Sequence, residues 1–362
     1  MHTCDQFRHD WLVPLSSAAT NFHDLTREQL RERTVRWGFS PVHAARLWSY
    51  VYLERAAEWA LMPDLPVRYR TKAAAELGFP RLPVALETHS ADGFTRKYLL
   101  ALADDRRVET VLMRYTGRVT ACISSQAGCA MGCVFCATGQ MGFVRHLTPG
   151  EIVAQALHVD RVLQAAAAGE RLRNIVLMGM GEPLHNYDNT MAAIDRLNDP
   201  DGYNFGARRF TLSTVGLIPA IQRFASEKRQ VNLAISLHAA DDALRASMLP
   251  VDKRYPIDEL LEACQDYITT TGRRITFEWA LVNGINDTSE QAHLLVRKLK
   301  GLLCHVNAIP LNPTEGYSGQ ATTRQRAEMF KIILDDHGVP CTIRLRRGMD
   351  IQAGCGQLVS RV

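Results

Sequence analysis

The sequence predicts an α/β protein in which a parallel sheet with covering helices follows a small helical unit and a short antiparallel stretch. Between residues 119 and 345, apolar runs typical of β-strands recur, and amphipathic helical stretches separate most of them. This alternation is typical of a parallel sheet, either doubly wound or closed into a full or partial β/α barrel. The length of 362 residues and the hydrophobic content of 46% allow about two domains with a sizeable core.

The first part of the chain predicts a helical domain over residues 1–83. Thr26 precedes Gln29 by three positions, which is the spacing of a capping box at a helix start. A second helix is expected to begin after Ser40, and a third is expected around residues 69–77. These short helices form a small unit ahead of the sheet.

Residues 84–116 alternate between apolar and polar side chains, so they predict antiparallel strands that act as a β linker. The α/β domain is expected over residues 117–362. Its predicted parallel strands are 119–124, 174–179, 210–215, 231–237, 275–282, 306–311 and 341–345. The clearest helices predicted between them are one that begins at Thr148 and those at 191–197, 257–267, 291–299 and 323–334.

Composition and charge exclude several classes of protein. No stretch approaches the roughly 18 consecutive apolar residues of a membrane-spanning helix, and the N-terminus lacks the pattern of an export signal. A cytoplasmic protein without a membrane partner is therefore expected. The net charge of +4 is too small to indicate nucleic-acid binding by itself. The nine cysteines of such a chain are expected to be reduced thiols, which more often serve metal binding or catalysis than disulfide bonding.

One loop concentrates the chemistry. Cys129, Cys133 and Cys136 have the spacing C-x3-C-x2-C and follow the first predicted parallel strand. Three thiolates from one loop suit a 4Fe-4S cluster, which would leave the fourth iron open to another ligand. A zinc site completed by a distant ligand is the alternative, although zinc ribbons pair two C-x2-C knuckles and the sequence has no second one.

The cysteine spacing, with Phe135 before the last cysteine, resembles the signature of radical S-adenosylmethionine (SAM) enzymes. The wider sequence resembles the RlmN/Cfr family of RNA adenosine methyltransferases. The stretches that carry this resemblance are 122–129, 178–184, 211–216, 235–239, 309–313 and 347–358. The resemblance implies a partial (β/α)6 radical SAM barrel with an N-terminal accessory domain that contacts RNA.

The resemblance also implies the reaction, which is methylation of an adenosine at C2 in 23S ribosomal RNA, with adenosine 37 of transfer RNA as a further candidate substrate. Two SAM molecules serve each turnover: one methylates Cys355, and the other yields a radical that removes hydrogen from this methyl group. Cys122 then resolves the enzyme–RNA adduct through a transient disulfide with Cys355, and Glu109 is the implied proton acceptor. An external electron donor such as flavodoxin or ferredoxin is implied as a partner.

The expected SAM contacts lie at strand ends. Ligands of parallel β/α folds bind at the carboxyl ends of the strands, so polar residues there converge on one mouth. Glu182 is expected to bind the ammonium group of SAM. The full set of expected contacts is Gly181, Glu182, Ser213, Ser236, Leu237, His238 and Asn312.

Three alternatives remain open at the level of sequence. Methylation of adenosine at C8, as in the antibiotic-resistance branch, uses the same machinery. A radical SAM enzyme acting on a substrate other than RNA would need neither Cys122 nor Cys355. A zinc-bound protein that binds RNA without catalysis would contain no iron. For any RNA substrate, Arg344, Arg346 and Arg347 lead directly into the Cys355 loop and are candidates for phosphate contacts.

Overall fold

The computed structural model of the protein describes residues 20–56, 58–78, 82–166 and 169–359. The helices are α1 (Arg27–Arg36), α2 (Pro41–Tyr52), α3 (Val67–Glu76), α4 (Ala137–Gln140), α5 (Pro149–Ala165), α6 (Tyr187–Asn198), α7 (Ile218–Ser226), α8 (Asp242–Met248), α9 (Ile257–Thr271), α10 (Ser289–Leu299) and α11 (Arg324–Asp336). The strands are β1 (Thr20–Asn21), β2 (Leu77–Gly78), β3 (Val84–His89), β4 (Thr95–Ala101), β5 (Arg107–Tyr115), β6 (Arg118–Cys122), β7 (Gln126–Gly128), β8 (Phe143–His146), β9 (Leu172–Leu177), β10 (Phe210–Thr214), β11 (Asn232–Ser236), β12 (Ile275–Leu281), β13 (Cys304–Pro310) and β14 (Cys341–Ile343).

Helices α1, α2 and α3 form the small N-terminal unit that the sequence predicts. The capping box at the start of α1 is complete, because Thr26 and Gln29 each accept a backbone N–H from the other. Trp48 and Tyr52 on α2 are buried with their rings 4.4 Å apart, so these aromatic side chains serve the core of the unit. Residues 1–19 of the predicted helical domain lie outside the described residues.

The three strands β3, β4 and β5 are antiparallel, as predicted, and they extend the main sheet. β5 pairs with β6 in antiparallel fashion, and β6 then begins the parallel part. The ten-stranded sheet has the order β14-β13-β12-β11-β10-β9-β6-β5-β4-β3. The predicted linker is therefore continuous with the sheet of the α/β domain, which ties its side chains to that domain. The boundaries predicted between the domains stay a prediction.

Each of the seven predicted parallel runs overlaps one observed parallel strand, namely β6 and β9 to β14. One long helix covers each step from a strand to the next, and these helices are α5, α6, α7, α9, α10 and α11. Six strand–helix units followed by β14 form the predicted partial (β/α)6 barrel. β14 and β6 are not paired with each other, so the barrel is open on one side. Among the described residues, no helix has the length and apolar character needed to cross a membrane.

Candidate active site

A cavity of about 750 Å³ occupies the concave side of the parallel sheet. Every parallel strand contributes to it, because alternate side chains of a strand point to the same face. On β6, for example, Arg118, Thr120 and Cys122 all line the cavity. Cys355 lines it too, on the segment of residues 352–359, which we call the Cys355 segment. The barrel thus brings the expected methyl carrier, Cys355, and the expected resolving thiol, Cys122, into one cavity.

The cysteine loop connects β7 to α4. Burial raises the pKa of Cys129 to about 12 and that of Cys133 well above its usual value. The negative charges that Cys129 and Cys136 would carry raise the pKa of Cys133 further, so the three thiols lie near one another. Such a group of thiols ionises only when a positive centre compensates the charge, as iron does in a cluster.

The donor set fits an iron–sulfur cluster better than a single ion. Within the described ranges, no three or more His, Cys, Asp or Glu side chains are gathered so that they could hold one metal ion. In a 4Fe-4S cluster each thiolate binds a separate iron, so three neighbouring thiols from one loop suffice. Cys129, Cys133 and Cys136 would therefore hold the cluster, and the fourth iron would have no protein ligand.

Cys355 acts electrostatically on Cys122. Burial raises the pKa of Cys122 far above its usual value, and the charge of Cys355 adds to this effect. Although Cys355 is exposed, desolvation by the protein around it raises its pKa to about 11, with the charges of Glu278 and Cys136 contributing, while Arg344 acts in the opposite direction. Cys355 is thus an electrostatic neighbour of both the resolving cysteine and the cysteine loop. Both thiols are protonated at neutral pH before any reaction.

Backbone hydrogen bonds hold the Cys355 segment between two parts of the barrel. Asn312, which follows β13, donates from Nδ2 to the carbonyl of Cys355 at 2.9 Å. On the other side, the N–H of Ala137 in α4 donates to the carbonyl of Gly356 at 2.7 Å. The Thr138 hydroxyl donates to the Leu358 carbonyl at 2.6 Å. The reactive segment is therefore attached directly to the helix that follows the cysteine loop.

Glu109 lies outside the cavity lining. Its Oε1 is 2.9 Å from Nζ of Lys97, and its Oε2 accepts the N–H of Val359 at 2.8 Å. Burial raises the pKa of Glu109, and the ion pair with Lys97 lowers it again in part. The structure thus brings Glu109 to the end of the Cys355 segment but does not direct its carboxyl group into the cavity.

Glu182 is buried at the end of β9 with no basic side chain paired to it among the described residues. Its carboxylate accepts the N–H groups of Leu184 at 3.0 Å and Val215 at 2.9 Å. Burial raises the pKa of Glu182 to about 7. Because the carboxylate has hydrogen bonds but no counter-charge, the ammonium group expected of SAM would fit beside it. Gly181 has a φ of +101°, and a Cβ there would lie 2.5 Å from Cβ of Gln126, so this close turn requires glycine.

The other expected SAM contacts divide into two groups. Ser213 and Ser236, on neighbouring strands, lie together with their hydroxyl oxygens 3.5 Å apart. Leu237 is fully buried, and its carbonyl already accepts hydrogen bonds from Nε of Arg245 and the N–H of Ala239. Asn312 stands apart from this group and lines the cavity beside Cys355, where its Oδ1 is buried and has no hydrogen-bond partner among the residues that the structure describes. That unpaired acceptor would fit a donor group of a bound cofactor.

His238 has a left-handed backbone conformation with a φ of +61°. Its Nδ1 accepts the N–H of Ala280 at 2.9 Å, so the proton of the neutral ring is on Nε2. Burial, with a contribution from Arg245, lowers the pKa of His238 to about 3. The ring packs edge-on against Phe135 at 5.0 Å between ring centroids. His238 therefore connects the end of β11 to the cysteine loop.

The sequence analysis did not identify Arg245, which forms hydrogen bonds to the ends of two neighbouring strands. Arg245 on α8 is fully buried and donates to the carbonyls of Val215 at 2.6 Å and Leu237 at 3.1 Å. It also forms an ion pair with Asp252 at 2.7 Å. The signal that could have identified Arg245 is a charged residue among apolar ones, but it lies in α8, a helix that the sequence pattern did not predict. Lys97 was missed as well, because only the register of β4 against β5 places it on the same face as Glu109.

A partial (β/α)6 barrel that presents a C-x3-C-x2-C loop at its strand ends defines a protein of the radical SAM class. The model of the radical SAM superfamily matches residues 123–295. The chain is 53% identical to the probable dual-specificity RNA methyltransferase RlmN 2 of Opitutus terrae, with 94% of this chain and 87% of that protein covered. It is 51% identical to the dual-specificity RNA methyltransferase RlmN 1 of Myxococcus xanthus, with 96% of each chain covered. Its fold matches the crystal structure of a radical SAM methyltransferase from Sphaerobacter thermophilus with a TM-score of 0.92 and 46% identity, over 94% of this chain and 100% of that one. The chain therefore belongs to the RlmN family of radical SAM methyltransferases.

Proposed function

We propose that this protein methylates C2 of an adenosine in 23S ribosomal RNA, with Cys355 as the carrier of the methyl group. The relatives named above are RNA methyltransferases by their names, which supports RNA as the substrate. The observation that carries the proposal is that Cys122 and Cys355 share one cavity while Cys355 also neighbours Cys136 of the cysteine loop. Adenosine 37 of transfer RNA is a second candidate substrate.

Cys129, Cys133 and Cys136 would hold the cluster, and Glu182 and Asn312 would hold SAM. When bound, one SAM molecule would supply the methyl group to Cys355. The cluster and a second SAM molecule would supply the radical chemistry that the electron-poor carbon requires. The buried carboxylate of Glu182 orients the ammonium group of SAM, because no other cation pairs with it among the described residues. Electrons come from an external donor, for which flavodoxin or ferredoxin is the proposed class.

Cys355 carries the carbon to the base, and Cys122 releases the product. The thiol of Cys122 gives up its proton as it attacks the sulfur of Cys355, so a disulfide bond forms and the sulfur–carbon bond to the RNA breaks. The leaving carbon keeps the electron pair and takes a proton, which completes the methyl group. An external reductant then restores both thiols. The shared cavity supports this role, because a thiol can attack only a sulfur that it can reach.

Arginines around the cavity support an RNA substrate. Among the described residues that line the cavity, one has a carboxylate, namely Glu278. Its seven arginines are Arg118, Arg209, Arg273, Arg274, Arg344, Arg346 and Arg347. Guanidinium groups bind phosphate oxygens well, so they fit a nucleotide with its flanking phosphates. We further propose that the N-terminal helical unit contributes to RNA binding.

Glu109 is the proposed acceptor of the ring proton. In the described conformation both of its oxygens are engaged, Oε1 by Lys97 and Oε2 by the N–H of Val359. The proposal therefore requires the Cys355 segment to move so that Oε2 becomes free. Burial raises the pKa of Glu109, which makes the carboxylate a stronger base than an exposed one.

The proposal is tested by incubating the anaerobically purified enzyme with SAM, a reductant and unmodified ribosomal RNA, followed by nucleoside mass spectrometry. We expect 2-methyladenosine; 8-methyladenosine would show the reaction of the C8 branch instead. Cys122→Ala should stop after one turnover with RNA attached to Cys355, while Cys341→Ala, at a buried cysteine outside the cavity, should turn over normally. Normal turnover of Cys122→Ala without an adduct would overturn the proposed thiol chemistry.

A further inference from the structure

A lysine outside the cavity connects Glu109 to the segment that carries Cys355. Nζ of Lys97 lies 2.9 Å from Oε1 of Glu109 and donates to the carbonyl of Gln352 at 3.2 Å. Oε2 of Glu109 accepts the N–H of Val359 at 2.8 Å. The ion pair thus contacts the Cys355 segment at both ends, on either side of the thiol.

The antiparallel extension places this ion pair. Lys97 on β4 lies opposite Val111 on β5, and Leu99 lies opposite Glu109. Lys97 and Glu109 are therefore diagonal neighbours on one face of the sheet, within reach of long side chains. Their side chains are only 12% and 5% exposed, so water screens the attraction little.

Among the contacts described for the Cys355 segment, those with Lys97 and Glu109 are the ones that involve charged groups. The other hydrogen bonds described for residues 352–359 come from neutral groups, among them the Asn312 amide, the Thr138 hydroxyl and the Ala137 N–H. Charge-assisted hydrogen bonds are roughly twice as strong as neutral ones. Gln352 has a φ of +52°, a conformation that side chains rarely adopt, so its position depends on the contacts around it.

We propose that Lys97 is a positioning residue that, through Glu109 and the carbonyl of Gln352, holds the thiol of Cys355 in the cavity opposite Cys122. This role deepens the proposed function, on which it rests for the reaction that the thiol performs. Without the ammonium group, the buried carboxyl of Glu109 has no counter-charge and becomes protonated more readily. A neutral acid is a weaker acceptor for the N–H of Val359, so both ends of the segment loosen together.

The experiment compares Lys97→Met, Lys97→Gln and Lys97→Arg with Arg96→Met. Arg96 is the matched control, because it is the neighbouring cation on β4 and faces Glu87 at 3.7 Å on the other side of the strand. The readout is the rate at which iodoacetamide alkylates Cys355 in the cluster-loaded enzyme without SAM or RNA, followed by peptide mass spectrometry. Cys355 is exposed but lines the cavity, whose wall limits the approach of the reagent, and a loosened segment relaxes that limit; we therefore expect alkylation to be roughly threefold faster in Lys97→Met. Lys97→Arg and Arg96→Met should match the native protein, and Lys97→Gln should fall between.

A second readout reports the distance between the two thiols. Diamide oxidises two neighbouring thiols to a disulfide and is itself reduced, so the rate of Cys122–Cys355 disulfide formation measures how often the thiols meet. We expect this rate to fall in Lys97→Met, and it is the deciding readout. The kcat for RNA methylation should fall as well, with an unchanged KM, but protonation of Glu109 contributes to that fall. Recovery of both in Lys97→Arg separates positioning from a general loss of stability.

The outcomes separate this inference from the proposed function. Equal alkylation and disulfide rates in Lys97→Met and native protein would overturn the role of Lys97, whatever the enzyme methylates. Should Lys97→Met fail to fold, Lys97→Gln decides, because it keeps a neutral donor for Gln352; native rates in that variant would overturn the role. Absence of methyladenosine in the native enzyme would refute the proposed function, while the two thiol assays would still decide the role of Lys97.

Discussion

The amide of Asn312 donates to the carbonyl of Cys355 at 2.9 Å, while its own Oδ1 remains buried without a partner. One half of this side chain therefore holds the reactive segment, and the other half is an unused acceptor on a residue that lines the cavity. Buried polar atoms normally have partners, so the free Oδ1 points to a ligand that supplies a donor. The residue thus connects cofactor binding to the position of the thiol.

We expect Asn312→Ala to weaken SAM binding by about tenfold, since one buried hydrogen bond of ordinary strength is lost. Equilibrium binding of SAM to the cluster-loaded enzyme measures the effect. Asn283→Ala is the control, because Asn283 is an exposed residue of a loop outside the cavity. An unchanged affinity in Asn312→Ala would show that Oδ1 does not face the cofactor.

The parallel part of the fold was predictable because strand and helix patterns alternate with distinct periods. The starts of α1 and α5 were predicted correctly, because the capping residues Thr26 and Thr148 lie directly before the helices that they begin. Helices α4, α7 and α8 were missed. α8 is seven residues long and contains the charged Arg245, whose burial depends on carbonyls from β10 and β11 that no local pattern reveals.

The candidate site was predictable only in part. Motif spacing selected Cys129, Cys133 and Cys136 because all three lie in one loop, and strand ends selected Glu182 because parallel strands end at one mouth. The ion pair between Lys97 and Glu109 depends on the register of β4 against β5, which is set by tertiary packing. A sequence pattern cannot supply that register.

Removal of one cysteine from the cysteine loop is expected to abolish iron binding. Cys136→Ala leaves two thiolates in the loop, too few to hold a cubane cluster stably. Cys304→Ala is the matched control, because Cys304 is a buried cysteine on β13 outside the loop. Iron and sulfide analysis with visible absorption after anaerobic reconstitution provides the measurement. Full iron content in Cys136→Ala, or zinc in the native protein, would contradict the assignment.

Glu182 is expected to destabilise the cofactor-free protein as the pH rises. Its pKa is about 7 in the folded state against 4.5 for an ordinary glutamate, so the folded protein binds more protons between these values. The free energy of unfolding therefore falls from about pH 4.5 to pH 7, by about 3 kcal/mol in total, and stays constant above that range.

Glu182→Gln is expected to remove this pH dependence and to weaken SAM binding. The melting temperature of the variant relative to the native protein should rise between pH 5 and pH 7.5, while the affinity for SAM should fall. Glu227→Gln, at a partly exposed carboxylate that pairs with Arg229, is the control for loss of a negative charge. A constant difference in melting temperature across this range would contradict the burial of an unpaired carboxylate.

His238 is expected to show the opposite pH dependence. Its pKa is about 3 in the folded state against 6.5 for an ordinary histidine, so the unfolded chain binds more protons between these values. The contribution of the neutral ring to the free energy of unfolding is therefore fully present above about pH 6.5, and it decreases as the pH falls toward 3. At pH 5 the loss amounts to about 2 kcal/mol by this reasoning.

His238→Asn should be less destabilising than His238→Ala. Asparagine tolerates a positive φ, and its Oδ1 can accept the N–H of Ala280, whereas alanine leaves that buried N–H without a partner at a cost of about 1–3 kcal/mol. The gap in free energy of unfolding between native protein and His238→Asn should narrow from pH 7 to pH 5, because only the native protein has the buried imidazole. Chemical denaturation of the cofactor-free proteins at both pH values measures these differences. A gap that stays constant would mean that the ring of His238 can take up a proton within the fold, and hence that the hydrogen bond from Ala280 to Nδ1 does not fix it in the neutral form.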